Sequence, residues 1–195
     1  MPYKKKVYKK KRLYKRRPMR RYRRAAFQPE KKFYQSNLAI TASGTVTGLN
    51  LLAQGVTQNT RVGNSITLKS LYMRGYIIGN ATAQSINYRI MIIQDNQQVS
   101  DTTPVIADIL DASATNNLTA PLASGSLGRF KVLYDRNGVI ENKITGVAAN
   151  KPFSLYKRFN HQVRFNGAAT SDQQKGSIYH VFVHDGGANA PTFRS

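Results

Sequence analysis

The chain has 195 residues, with 30 Lys and Arg against 9 Asp and Glu, a formal net charge of +21 and no cysteine. That length fits one domain with enough residues to bury a core. The lack of cysteine excludes a disulfide scaffold, thiolate zinc sites and a cysteine nucleophile, while the charge points to a polyanionic partner, since neutralising phosphates releases counterions.

The charge is concentrated at the start. Residues 1–32 carry 16 Lys and Arg and one acid, Glu30, for a net +15; residues 33–195 carry 14 and 8, for a net +6. The division predicts a basic arm over 1–32 and a folded domain over 33–195. Like charges at this density repel and prevent a compact core, so the free arm is expected to be disordered. Over residues 1–24 its cations are Lys4, Lys5, Lys6, Lys9, Lys10, Lys11, Arg12, Lys15, Arg16, Arg17, Arg20, Arg21, Arg23 and Arg24, interleaved with Tyr3, Tyr8, Tyr14 and Tyr22. Cations can follow phosphates while tyrosine rings, here Tyr14 and Tyr22 above all, stack on unpaired bases, so the arm is expected to bind single-stranded nucleic acid. The clusters Lys4-Lys5-Lys6 and Lys9 to Arg12 also satisfy the pattern of a nuclear localisation signal. A plain solubilising tail is the simpler alternative; 16 basic residues exceed what a short import signal needs. A membrane-surface role fits less well, because the arm lacks an apolar face.

Beyond residue 33 short apolar runs alternate with turn residues, the pattern of an all-β sandwich or barrel. The weak segment from Phe33 to Leu52 has room for two strands. From Ile66 and Leu68 through Leu71, Tyr72, Met73, Tyr76, Ile77 and Ile78, apolar residues on both faces predict a strand covered on both sides. Ile86, Tyr88, Ile90 and Ile92 alternate and should share one buried face. Thr103 as cap, Pro104 in the first turn, and Val105, Ile106, Ile109 and Leu110 as apolar stripe predict one helix ending near Ala112. It lies in a long connection between strands at 86–94 and 129–135, and such connections usually have a function. Phe130, Val132 and Tyr134 predict the next strand; Phe153, Leu155 and Phe159 another, broken in pattern by Lys157; Val163 and Phe165 a shorter one; and Ile178 to Val183 a strong one before a turn at Asp185-Gly186-Gly187.

No catalytic constellation stands out. The phosphate loop, dinucleotide fingerprint, HExxH and GxSxG patterns are absent, as is the His-x-His pair of rolling-circle nucleases, so no enzyme activity and no cofactor are expected. His180 and His184 share a strand face with Phe182, but residues four apart on a strand lie about 13 Å apart, too far to hold one metal ion. Asp95, Asp101, Asp108 and Asp111 gather in the long connection, where carboxylates could bind Ca²⁺ between subunits; solvated loop acids are the simpler reading. No metal site is expected. No run of about 18 apolar residues exists, so no membrane-spanning helix is expected. The charged start lacks the apolar stretch of a secretory signal. The glycosylation patterns at Asn80-Ala81-Thr82 and Asn117-Leu118-Thr119 are accordingly read as chance.

Several segments resemble a known group. Arg61-Val62-Gly63-Asn64 followed by Ile66-Thr67-Leu68-Lys69-Ser70-Leu71-Tyr72-Met73-Arg74-Gly75 is similar to an early core strand of capsid (coat) proteins from circular, Rep-encoding single-stranded DNA (CRESS-DNA) viruses. Phe130-Lys131-Val132-Leu133-Tyr134-Asp135 resembles a second motif of that group, and the Lys/Arg/Tyr-rich start resembles their arms. Thr102-Thr103-Pro104 with its Ile-Leu helix resembles coat proteins of satellite tobacco necrosis virus and its relatives, which package RNA. The resemblance implies an eight-stranded viral jelly roll of two packed four-stranded antiparallel sheets, and a T=1 icosahedral shell of sixty copies enclosing a single-stranded genome, circular DNA in the first group and RNA in the second. Sixty arms of net +15 would bring about 900 charges, suited to a strand on the order of a thousand nucleotides. It further implies a virion location, passage through the host nucleus if the genome is DNA, and import receptors and a cell-surface receptor as partners. Arg61, Lys69, Arg74, Arg89, Lys157, Arg158 and Arg164 are candidates to line the interior; Arg61 and Lys69 are favoured for their nearness to the arm. A non-viral nucleic-acid-binding protein with a basic tail is the alternative.

Overall fold

A computed structural model describes residues 32–40, 42–82, 85–111, 117–144, 146–186 and 190–195. The arm, apart from Lys32, lies outside the described residues, and with it every expectation for its side chains.

Two antiparallel sheets build the fold. Their strands are β1 (Ala39–Ile40), β2 (Thr45–Gly48), β3 (Ser65–Ile78), β4 (Ser85–Asp95), β5 (Phe130–Glu141), β6 (Asn150–Phe165), β7 (Gln173–Lys175), β8 (Ser177–His184) and β9 (Thr192–Arg194). One sheet has the order β1-β9-β3-β6-β7, the other β2-β8-β4-β5. The all-β expectation is met, but the sheets hold five and four strands rather than four each. The pairing is nested: β2 with β8, β3 with β6 and β4 with β5, alternating between the sheets.

Sequence alternation explains the inner core. Tyr88, Ile90 and Ile92 of β4 pack with Met73 and Ile77 of β3, Phe182 of β8 and Phe193 of β9. β6 spans both segments expected to be separate strands; Lys157 sits opposite Leu71 without ending the strand, because the ladder continues on either side of it.

The long connection has its own job. Helix α1 (Ile106–Ile109) and a 3₁₀ turn at Ser124–Ser126 lie within it. Ile109, Leu110, Leu118 and Ala120 cover Met91, Ile93, Tyr179, Val181 and Val183 on the far side of the four-stranded sheet. β4 and β8 are thus buried on both faces. The helix starts later than expected: Val105 is its N-cap, its N–H donating to the Asp108 carboxylate (3.1 Å), while Thr103 and Pro104 stay outside.

β3 reverses its expectation. Its inward side chains pack in the core, but Tyr72 is 60% and Tyr76 57% exposed. A tyrosine pairs an apolar ring with a hydroxyl that tolerates water, so its presence on the second face does not require cover there. Within the four-stranded sheet β4 and β8 are covered on both sides, while the outer face of β5 stays open; the five-stranded sheet is covered on one side among the described residues.

Candidate nucleic-acid interface

The charge separates by sheet. The strands of the five-stranded sheet carry eight basic residues, Lys69, Arg74, Lys151, Lys157, Arg158, Arg164, Lys175 and Arg194, and no acidic one. The strands of the four-stranded sheet carry three basic residues, Arg89, Lys131 and Arg136, and three acidic ones, Asp95, Asp135 and Glu141. Unbalanced like charges on one surface repel and draw in a polyanion.

Register decides which cations share the uncovered face. Ser65 pairs with Arg164, Ser70 with Arg158, Tyr72 with Tyr156 and Arg74 with Ser154. Lys175 pairs with Arg164, and Arg194 with Tyr76. Since paired residues point to the same side, Arg74, Arg158, Arg164, Lys175 and Arg194 lie on that face with Tyr72, Tyr76 and Tyr156. Lys69 sits at an irregularity in the ladder, and its Nζ donates to Asn160 Oδ1 at 2.8 Å on the surface. Lys157 alternates to the other side. So does Lys151, whose Nζ donates to the Val139 carbonyl (3.1 Å) and lies over the Tyr88 ring.

Tyrosines interrupt the cations. Tyr72 and Tyr156 meet edge to face, ring centroids 6.5 Å apart at 62°, and Tyr156 is 57% exposed. Next to them Arg74, Tyr76, Pro152, Ser154 and Arg194 line an open depression. Asp101 and Asp172 stand beyond the end of β6, where Asn166 bonds to both residues.

The favoured pair of core cations divides. Lys69 is on the surface. Arg61 is 2% exposed and does not reach it. Its Nε donates to the Leu52 carbonyl (3.0 Å), Nη1 to the Gly63 carbonyl (2.5 Å) and Asn64 Oδ1 (3.3 Å), and Nη2 to the Gly167 carbonyl. The guanidinium also stacks over Phe165, 4.0 Å from its centroid. Every polar edge is occupied by protein, so Arg61 ties two loops together rather than binding a strand.

Arg89 is also withdrawn. It is largely buried beneath the long connection and paired with Asp135. The acids of that connection do not converge. Asp95 is buried against Arg129 (2.8 Å), Asp108 caps α1, and Asp101 accepts from Asn166 Nδ2 at 3.1 Å. Among the described residues no three metal-ligating side chains come together. His180 and His184 flank Phe182 on the core side, their rings stacked or tilted against it.

Sequence reasoning missed Lys175, Arg194 and the three tyrosines. A signal was present: no acid stands between Glu30 and Asp95, nor between Glu141 and Asp172. No family model matches the chain, and no curated protein matches it in sequence.

Proposed function

We propose that this chain is the subunit of a small viral coat, a jelly roll that closes with copies of itself into an icosahedral, T=1 shell and packages a single-stranded genome through its basic arm. The observation that carries the reading is the placement of charge: a net +15 in residues 1–32 joined to a β domain whose five-stranded sheet, open on one face, has basic strands and no acid.

The strand order supports the fold. A jelly roll is a long antiparallel hairpin wrapped on itself, so its strands pair first with last, second with next to last, and so inward. β2–β8, β3–β6 and β4–β5 follow that nesting. β1 with β9 supplies the outermost pair, and the short β7 beside β6 is the added ninth strand. The connection through α1 joins the innermost strands, β4 and β5, and lies over the four-stranded sheet.

The mechanism follows from electrostatics. Cationic arms neutralise phosphates, counterions leave, and subunits held on one strand reach the local concentration at which heterologous contacts close a shell. The clusters Lys4-Lys5-Lys6 and Lys9 to Arg12 would take the subunit to the nucleus where the genome is DNA.

Deleting residues 1–24 tests the arm. The truncated protein should keep the thermal unfolding of the β domain while its particles show a lower ratio of absorbance at 260 nm to that at 280 nm. Packaging equal to that of the full chain would overturn the arm's role.

A further inference from the structure

We propose that the uncovered face of the five-stranded sheet is a second site for single-stranded nucleic acid, with bases stacking on Tyr72, Tyr76 and Tyr156 and phosphates held by Arg74, Arg158 and Arg194. The inference deepens the reading above and rests on its choice of nucleic acid as partner.

The order of side chains supports it. Along the outward positions of β3 and β6 come Ser70 with Arg158, then Tyr72 with Tyr156, then Arg74 with Ser154, then Tyr76 beside Arg194. Successive positions on one face are about 6.8 Å apart. Cation and ring therefore alternate at intervals that suit the phosphate and base of an extended strand. The Tyr72 and Tyr156 rings stand at 62° to one another, so a base stacks on an open ring face rather than between them. Arg74, Tyr76 and Arg194 line one open depression on this face.

This composition discriminates. In a duplex the base faces are already stacked on one another, and only the cations could act on it. A single strand offers both phosphates and free base faces, and stacking on aromatic side chains is tolerant of sequence. The site therefore prefers single strands of any sequence over duplex, and it does so with residues independent of the arm.

The test uses the full chain and an oligothymidylate of about 20 nucleotides. Photo-crosslinking followed by peptide mapping should place adducts on Tyr72, Tyr76 or Tyr156 in addition to the arm. In parallel, the double variant Y72L/Y156L should bind the oligonucleotide about tenfold more weakly, with duplex binding unchanged, and Y72F/Y156F should bind as the parent does. Adducts confined to Tyr3, Tyr8, Tyr14 and Tyr22, or parental affinity in Y72L/Y156L, would overturn the site and leave the coat reading standing. Sheet adducts from a protein that never forms particles would do the reverse.

Discussion

Arg89 and Asp135 sit diagonally across the β4–β5 ladder, where Arg89 pairs with Asn137 and Asp135 with Met91, and form a two-point ion pair, Nε to Oδ1 at 2.9 Å and Nη2 to Oδ2 at 2.6 Å. The third guanidinium nitrogen, Nη1, donates to the carbonyls of Ala120 (2.7 Å) and Asn117 (3.3 Å), so one side chain fastens the long connection to the sheet beneath it. Removing one partner of a largely buried pair strands the other. Arg89→Ala should therefore cost about 3 kcal/mol in urea unfolding and raise amide exchange in residues 117–122. Full protection of that segment in the variant would contradict the anchoring role.

Arg61 gives a contrasting pair of variants with Lys69. Arg61→Lys keeps the charge but cannot meet four acceptors from a planar fork. It should destabilise the domain by about 2–4 kcal/mol, leaving several buried carbonyls unpaired. Lys69→Ala, on the surface, should change stability by less than about 0.5 kcal/mol. Denaturant midpoints of the two variants check both statements.

His180 should make stability depend on pH. Its ring is fully buried among Phe182 and Phe193, neither nitrogen has a partner among the described residues, and burial lowers its pKa to about 4. The folded state thus keeps the neutral ring while the unfolded chain takes up a proton near the ordinary value of about 6.5. Stability is fully present above that value and falls as pH drops from about 6.5 to 4, by on the order of 3 kcal/mol in all. Chemical denaturation from pH 7 to 4 should show that slope in the parent and a flatter one in His180→Phe.

Much of the fold follows from alternation, and the failures have physical causes. Ile90 and Ile92 reach the inner core as their period of two requires. The second core does not show in period alone, because Met91 and Ile93 look like solvent-side residues until the connection folds over them. β1, β7 and β9 are two or three residues long and owe their pairing to neighbours rather than to local pattern. Arg61 and Lys69 are eight positions apart in similar surroundings, and only the loop contacts at Leu52, Gly63 and Gly167 separate a tie from a surface cation. The tyrosine face was hidden for another reason: Tyr72 and Tyr156 are far apart in the chain and meet only through the β3–β6 register.

Gly75 tests the pairing of β3 with β9. A Cβ at this position would collide with the Arg194 carbonyl of β9. Gly75→Ala should push β9 away from β3, unseat Phe193 from the core, and lower stability by about 2 kcal/mol, since overpacking against backbone cannot relax through a side chain. A melting temperature equal to the parent's would show that the two strands do not pack this closely.

Sedimentation of the purified full chain, at low and high salt and with added single-stranded DNA or RNA, bears most directly on the coat-protein reading. A fast, uniform species that electron microscopy resolves as closed shells containing nucleic acid is the expected result. A protein that remains a monomer at every salt and concentration, single strands included, would contradict it.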